Sequence, residues 1–127
     1  TLLEAALSTK PRPVLVANPD IVAPREGGLT AEPGHFAHQL ADRTSIAPQF
    51  FGKPFPNIFE LAFSRLGDVD KSRILMVGDS LHTDVLGAMS VDVSSALITE
   101  FGFFADSDAE SAVNQTGISP DYVVRRP

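Results

Sequence analysis

Ile74-Leu75-Met76-Val77-Gly78-Asp79-Ser80-Leu81-His82-Thr83-Asp84 is the stretch on which the reading of this chain turns. Four consecutive apolar residues without helical spacing predict a buried strand, and Gly78 breaks it into a tight turn that carries carboxylates. A helical pattern follows, with Thr83 as candidate N-cap and Val85, Leu86 and Met89 as its apolar stripe. In a parallel α/β sheet this order puts Asp79 and Asp84 at the carboxyl end of a strand, on the rim where such folds bind ligands. Two carboxylates five positions apart at one strand-to-helix turn form a hard-oxygen site suited to Mg²⁺.

The rest of the composition limits what this rim belongs to. A chain of 127 residues is the size of one ordinary domain and short for a two-domain enzyme. Its 43% hydrophobic content is that of a globular protein, and a net charge of −6 offers no electrostatic footprint for nucleic acid. The absence of cysteine removes disulfide frameworks and cysteine-based zinc sites together. No apolar run reaches membrane-spanning length, and Thr1-Leu2-Leu3-Glu4 lacks the basic flank and apolar core of a signal peptide, so the cytoplasm is the default expectation. The chain opens without Met inside an amphipathic pattern of Leu2, Leu3, Ala6 and Leu7. This suits either a chain whose front has been removed or the processed terminus of a complete domain.

Pro13-Val14-Leu15-Val16-Ala17 predicts a short buried strand that ends in the turn signal Asn18-Pro19-Asp20. Pro24, Gly27, Gly28, Pro33 and Gly34 make residues 18–34 read as a long irregular loop, which in a compact domain is functional or a linker. Residues 35–43 predict a helix with Phe36, Ala37 and Leu40 inward; His35 and His38 on it lack a third ligand nearby and read as surface or capping residues. Gln49-Phe50-Phe51-Gly52 predicts a brief strand running into Lys53-Pro54. Phe55, Ile58, Phe59, Ala62 and Leu66 recur at helical spacing, which predicts a helix over 55–66 started by Pro54 and Pro56 and ended by Gly67. Lys53 thus falls at a strand-to-helix turn, the same kind of rim as the carboxylates. Beyond the organising stretch come a strand at 95–99, a helix near 107–115 and a last strand at 121–124. Strands alternating with helices at this spacing argue for βαβ units and a parallel sheet.

Gly52-Lys53-Pro54, followed about twenty-five residues later by Gly78-Asp79-Ser80-Leu81-His82-Thr83-Asp84, resembles the third and fourth motifs of the haloacid dehalogenase-like hydrolase superfamily. Ala17-Asn18-Pro19-Asp20 is similar to the Asn-Pro-Asp turn near the end of the cap in subfamily IIA, which includes nitrophenyl phosphatases and N-acetylglucosamine-phosphate phosphatases. The resemblance implies a Rossmann-like parallel α/β sheet, the C-terminal half of the hydrolase core (45–127), preceded by the end of a cap domain (1–44). It implies a Mg²⁺-dependent phosphatase acting on a small phosphorylated metabolite. Lys53 would steady the charge of the nucleophile and phosphoryl group, Asp79 would bind Mg²⁺, Asp84 would help to hold that metal site, and Asn18 and Asp20 would be weaker candidates for substrate contact. Phosphoryl transfer spreads charge over equatorial oxygens, so a fixed cation and a divalent metal supply its main stabilisation.

Family members place an Asp-x-Asp nucleophile on a strand ahead of the cap, and no strand here matches it. Asp68-Val69-Asp70 follows a helix end, Asp106-Ser107-Asp108 lies in a loop, and neither has the family's place in chain order. The expected missing strand would pair beside the strand at 73–77, leaving an open apolar edge there and an opportunity for self-association, with Val14 to Ala17 as a short alternative cover. A non-catalytic binding or interaction module that keeps the half-fold is the second reading.

Overall fold

The structure is a computed structural model that describes all residues from Thr1 to Pro127. It divides into two units, Thr1–Gly52 and Lys53–Pro127.

In the first unit, helix α1 (Leu2–Thr9) opens with a capping box: the Thr1 hydroxyl accepts the Glu4 N–H and the Glu4 carboxylate bonds back to the chain terminus. Of its four apolar positions on one face, Leu7 alone is buried, whereas Leu2 and Leu3 are exposed. Strand β1 (Leu15–Val16) is shorter than its apolar run suggested. Residues 18–34, expected to be irregular, contain an antiparallel hairpin, β2 (Val22–Arg25) and β3 (Gly28–Ala31), in register Val22↔Ala31 to Arg25↔Gly28. Both of its faces are largely exposed, so no apolar alternation marks it in the sequence. Its tip relies on Gly27 and Gly28 at φ 106° and 126°. Helix α2 (Pro33–Arg43) starts on a proline and buries Gly34, Ala37 and Leu40. Phe36 was expected inward and is instead 59% exposed, because the buried face runs through 34, 37 and 40 and Phe36 lies off it. Strand β4 (Gln49–Phe50) pairs in parallel with β1, Leu15↔Gln49 and Val16↔Phe50. The segment considered as a cover for the later sheet is therefore used inside its own unit.

The second unit is the parallel α/β element. Its sheet has strand order β5-β6-β7, all parallel, from β5 (Leu75–Gly78), β6 (Ser94–Ile98) and β7 (Tyr122–Val124), in register Val77↔Ala96 and Leu97↔Val123. Helix α3 (Pro56–Leu66) precedes β5, α4 (Leu86–Ser90) joins β5 to β6, and α5 (Ala109–Thr116) joins β6 to β7. Helix α3 starts at Pro56, one residue after the expected Phe55, which is its N-cap, and stops as predicted before Gly67, whose φ of 76° suits glycine. One apolar cluster gathers Phe59, Ala88, Val91 and Val93, with Phe63, Ile74 and Met76 against it. A second gathers Leu81, Val85 and Leu97, backed by Phe104, Ala109, Ala112, Val113 and Ile118. Gly87 lets α4 meet α3 closely, since a Cβ there would lie 2.5 Å from the Phe59 ring.

Several residues expected in the core are not. On α3 only Phe59 is buried, while Ile58 and Leu66 are exposed, because the helix turns its 59–63 edge to the cluster. Met89, expected on the α4 stripe, is 49% exposed. Strand β5 pairs only with β6, so one edge carries no strand, and Leu75 and Val77 on one of its faces are 49% and 46% exposed.

The buried centre is β6, where Leu97 has no accessible surface. Leu97→Ala should therefore lower the stability of this unit by about 2–5 kcal/mol, as deletion of a buried leucine side chain does. Leu61→Ala, at a 53% exposed position, should change it by no more than about 0.5 kcal/mol. Urea unfolding of the two variants side by side checks both values.

Candidate functional site

At the end of β5 the backbone stays extended through Ser80 (φ −126°, ψ 129°) and then enters a wide turn over Leu81–Val85 that leads into α4. Ser80 carbonyl oxygen accepts both the Asp84 and Val85 N–H groups, each at 3.1 Å, so the first turn has π spacing. The helical path begins at Leu81 with Ser80 in the N-cap position, three before the expected N-cap Thr83, which lies inside the turn. The first-turn donors find their acceptor further along the chain. The Asp84 carboxylate folds back beneath the turn, and its Oδ2 accepts the backbone N–H of Asp79 at 3.0 Å and of Ser80 at 3.2 Å.

Asp84 is 2% exposed, and its other oxygen, Oδ1, accepts a bond from Lys53 Nζ at 2.5 Å. One buried carboxylate is thus satisfied by two amides and one ammonium, which is what allows a charge to persist out of water. Gly78 is required by the same arrangement, because a Cβ there would fall 2.1 Å from Asp84 Oδ2. Lys53 reaches Asp84 from the start of the unit, just after Gly52 (φ 119°), and its side chain keeps 44% exposure.

Asp79 behaves differently. It is half-buried, and its Oδ2 accepts the Phe103 N–H at 3.2 Å from the loop that follows β6. Its Oδ1 accepts no hydrogen bond, so one carboxylate oxygen is uncommitted at the turn whose Asp84 holds the Lys53 ammonium. No group of three or more histidine and acidic side chains is arranged to hold a metal ion. A donor set of this kind fits Mg²⁺, which keeps several waters and takes one or two carboxylates together with substrate phosphate. Of the two aspartates, Asp79 has an oxygen with no hydrogen bond, while Asp84 is buried and takes three donors.

The remaining candidates fall elsewhere. Asn18 and Asp20 belong to the first unit, where Asn18 Oδ1 accepts the Asp20 N–H at 3.0 Å in an Asx turn. Pro19 in that turn is buried against α2, whose Gly34 could carry no side chain: a Cβ would lie 2.0 Å from the Pro19 carbonyl oxygen. Both Asp-x-Asp sequences serve as caps. Asp70 accepts the Ser72 N–H at 2.8 Å, a bond that lowers its pKa, and Asp108 accepts those of Glu110 and Ser111 at the start of α5. His35 bonds Gln39, and His38 stacks on Phe50 with ring centroids 4.7 Å apart. Gly102 and Phe103, which touch the Asp79 carboxylate, were not legible in the sequence, where they look like any turn in a Phe-rich loop.

A family model described as HAD-hydrolase-like matches residues 50–126. The chain belongs to the haloacid dehalogenase-like hydrolases. An acid sugar phosphatase of Staphylococcus aureus is 38% identical over 78 residues, which is 61% of this chain and 30% of that protein. Among solved structures, a possible sugar phosphatase of this superfamily from Cytophaga hutchinsonii superposes with a TM-score of 0.82 at 30% identity, over 98% of this chain and 45% of that one. A p-nitrophenyl phosphatase from Archaeoglobus fulgidus shares the fold, with a TM-score of 0.83 at 24% identity, over 99% of this chain and 49% of that one. The chain spans under half the length of each of these proteins.

Replacing Asp84 with alanine strips the acceptor from two turn amides, one of them fully buried. Each such loss costs about 1–3 kcal/mol, so Asp84→Ala should destabilise this unit by about 2–6 kcal/mol. Asp84→Asn keeps one amide acceptor and should cost less. Denaturant titration of the pair measures the difference.

Proposed function

We propose that this chain carries the cationic and metal-binding side of a Mg²⁺-dependent phosphatase that acts on small phosphorylated metabolites. The observation that supports the reading best is the Lys53–Asp84 pair, which fixes an ammonium at the same turn that leaves one Asp79 oxygen free. In this reading Asp79 holds the metal, which supplies Lewis-acid neutralisation of phosphoryl oxygens, and Lys53 offers a compact positive charge to the same oxygens. Asp84 aims Lys53 and holds the turn. Its similarity to sugar phosphatases favours a phosphomonoester substrate. A cytoplasmic setting, and weaker substrate contacts from Asn18 and Asp20, complete the proposal.

The nucleophile is proposed to lie outside residues 1–127, since Asp70 and Asp108 are committed to caps and Asp68 and Asp106 stand just ahead of them, outside any strand. The chain on its own should then hydrolyse p-nitrophenyl phosphate no faster than a buffer control with Mg²⁺, and bind Mg²⁺ only in the millimolar range or weaker. Turnover that survives purification and is lost in Asp68→Asn or Asp106→Asn would overturn this, as would micromolar binding abolished by Asp79→Asn.

Strand β5, with one unpaired edge and Leu75 and Val77 exposed, motivates a second part of the proposal: copies of the chain associate through that edge. Sedimentation over a range of concentrations should show mass growing with concentration. A monomer at high concentration, with slow amide exchange at 75–77, is the contrary result.

A further inference from the structure

The loop after β6 touches the free aspartate in a way that the phosphatase reading does not require. Gly102 sits with φ 68°, and a Cβ added there would lie 1.6 Å from Asp79 Oδ2, so the carboxylate occupies the very space that a side chain would fill. The next residue donates its N–H to the same oxygen at 3.2 Å. Gly117 makes a natural comparison, since it has nearly the same φ of 70° yet nothing within 4 Å of its Cβ position. The left-handed conformation alone therefore does not explain the closeness at Gly102.

The loop is itself held on both sides. Before it, the ladder continues past β6 and β7 through Thr99 N–H to Val124 carbonyl at 3.0 Å and Glu100 N–H to Arg125 carbonyl at 3.1 Å. The Glu100 carboxylate also takes Arg125 Nε at 2.7 Å and Arg126 Nε. After it, Ser107 Oγ donates to Phe103 carbonyl at 3.0 Å, and Phe104 packs into the second apolar cluster. Asp79 is thus fixed from two directions: its own N–H by Asp84 and its Oδ2 by Phe103.

We infer that Gly102 and Phe103 are positioning residues for Asp79. They lock its side chain so that Oδ2 faces the loop and Oδ1 alone faces outward, which makes the carboxylate a one-oxygen ligand rather than a bidentate one. Small cations with strict octahedral geometry take single carboxylate oxygens, whereas larger ones accept both. The loop therefore favours Mg²⁺ over Ca²⁺ at this turn. The preference for Mg²⁺ rests on the function proposed above; the lock on Asp79 does not.

Two measurements on the chain of residues 1–127 separate these. Amide exchange without metal should show Phe103 N–H protected, with protection falling at least about tenfold in Asp79→Ala, the size expected when a single bond of this kind is removed. An unprotected Phe103, or one indifferent to Asp79→Ala, would overturn the lock. Titration with Mg²⁺ and with Ca²⁺, followed by amide shifts at 79–84, should show Gly102→Ala weakening Mg²⁺ binding about tenfold or more, the range found when a ligand's supporting partner is lost. Gly117→Ala should leave it unchanged, although its backbone strain is the same. Equal effects of the two variants, or a loss confined to Ca²⁺, would overturn the positioning role. Amides at 79–84 that shift with neither cation, even at concentrations well above the millimolar range, would instead remove the metal reading, and the exchange result would still decide the lock.

Discussion

Everything at the candidate site hangs on one carboxylate placed where no water reaches it. Asp84 closes a ring with the amides of Asp79 and Ser80, and that ring forces the extended exit from β5, the wide first turn and the glycine at 78. An ionised group so deeply buried needs a counter-charge, and Lys53 provides it across 31 positions of sequence. The interaction ties the start of α3 to the end of β5. Removal of either end would leave a cost that the other could not recover, because buried charges and buried donors are both expensive when unpaired.

The same ring divides labour between two aspartates that look alike in the sequence. Asp84 has little acceptor capacity to spare, since its two oxygens already take three donors and the side chain is almost fully buried. Asp79, lifted to the rim, has one oxygen engaged by the loop and one free. Burial and hydrogen bonding, not residue type, set which of them can meet a ligand.

How much of this was legible follows from the kind of signal each feature leaves. The apolar run at 74–77 and the glycine after it announced strand and turn, and Pro56 and Gly67 bracketed α3, because these residues act through local backbone sterics. Lys53, Asp79 and Asp84 stood out through a family resemblance and through their place at strand-to-helix turns. The hairpin at 22–31 left no trace, since its strands bury neither face and Pro24 with two glycines reads as loop. Periodicity showed that α2, α3 and α4 have apolar stripes but not what covers them, hence the exposed Phe36, Leu66 and Met89. The start of the turn helix was misplaced for a related reason: its cap comes from a side chain inside the turn, where N-cap patterns do not look. Gly102 is the least legible of all, because only three-dimensional proximity distinguishes it from Gly117.

Because the ammonium of Lys53 is already balanced by Asp84, the turn is not an anion trap despite its lysine. Summed over Lys53, Asp79 and Asp84 its formal charge is that of one carboxylate, on a chain that is itself acidic. A phosphate dianion approaching alone meets net repulsion, softened by solvent screening but not reversed. A divalent cation meets attraction, and once seated it inverts the sign of the field that the next arrival feels. If the proposed function holds, binding at this rim is ordered by charge, cation first and anion second, and a monovalent cation, which would only bring the sum to zero, could not impose that sequence.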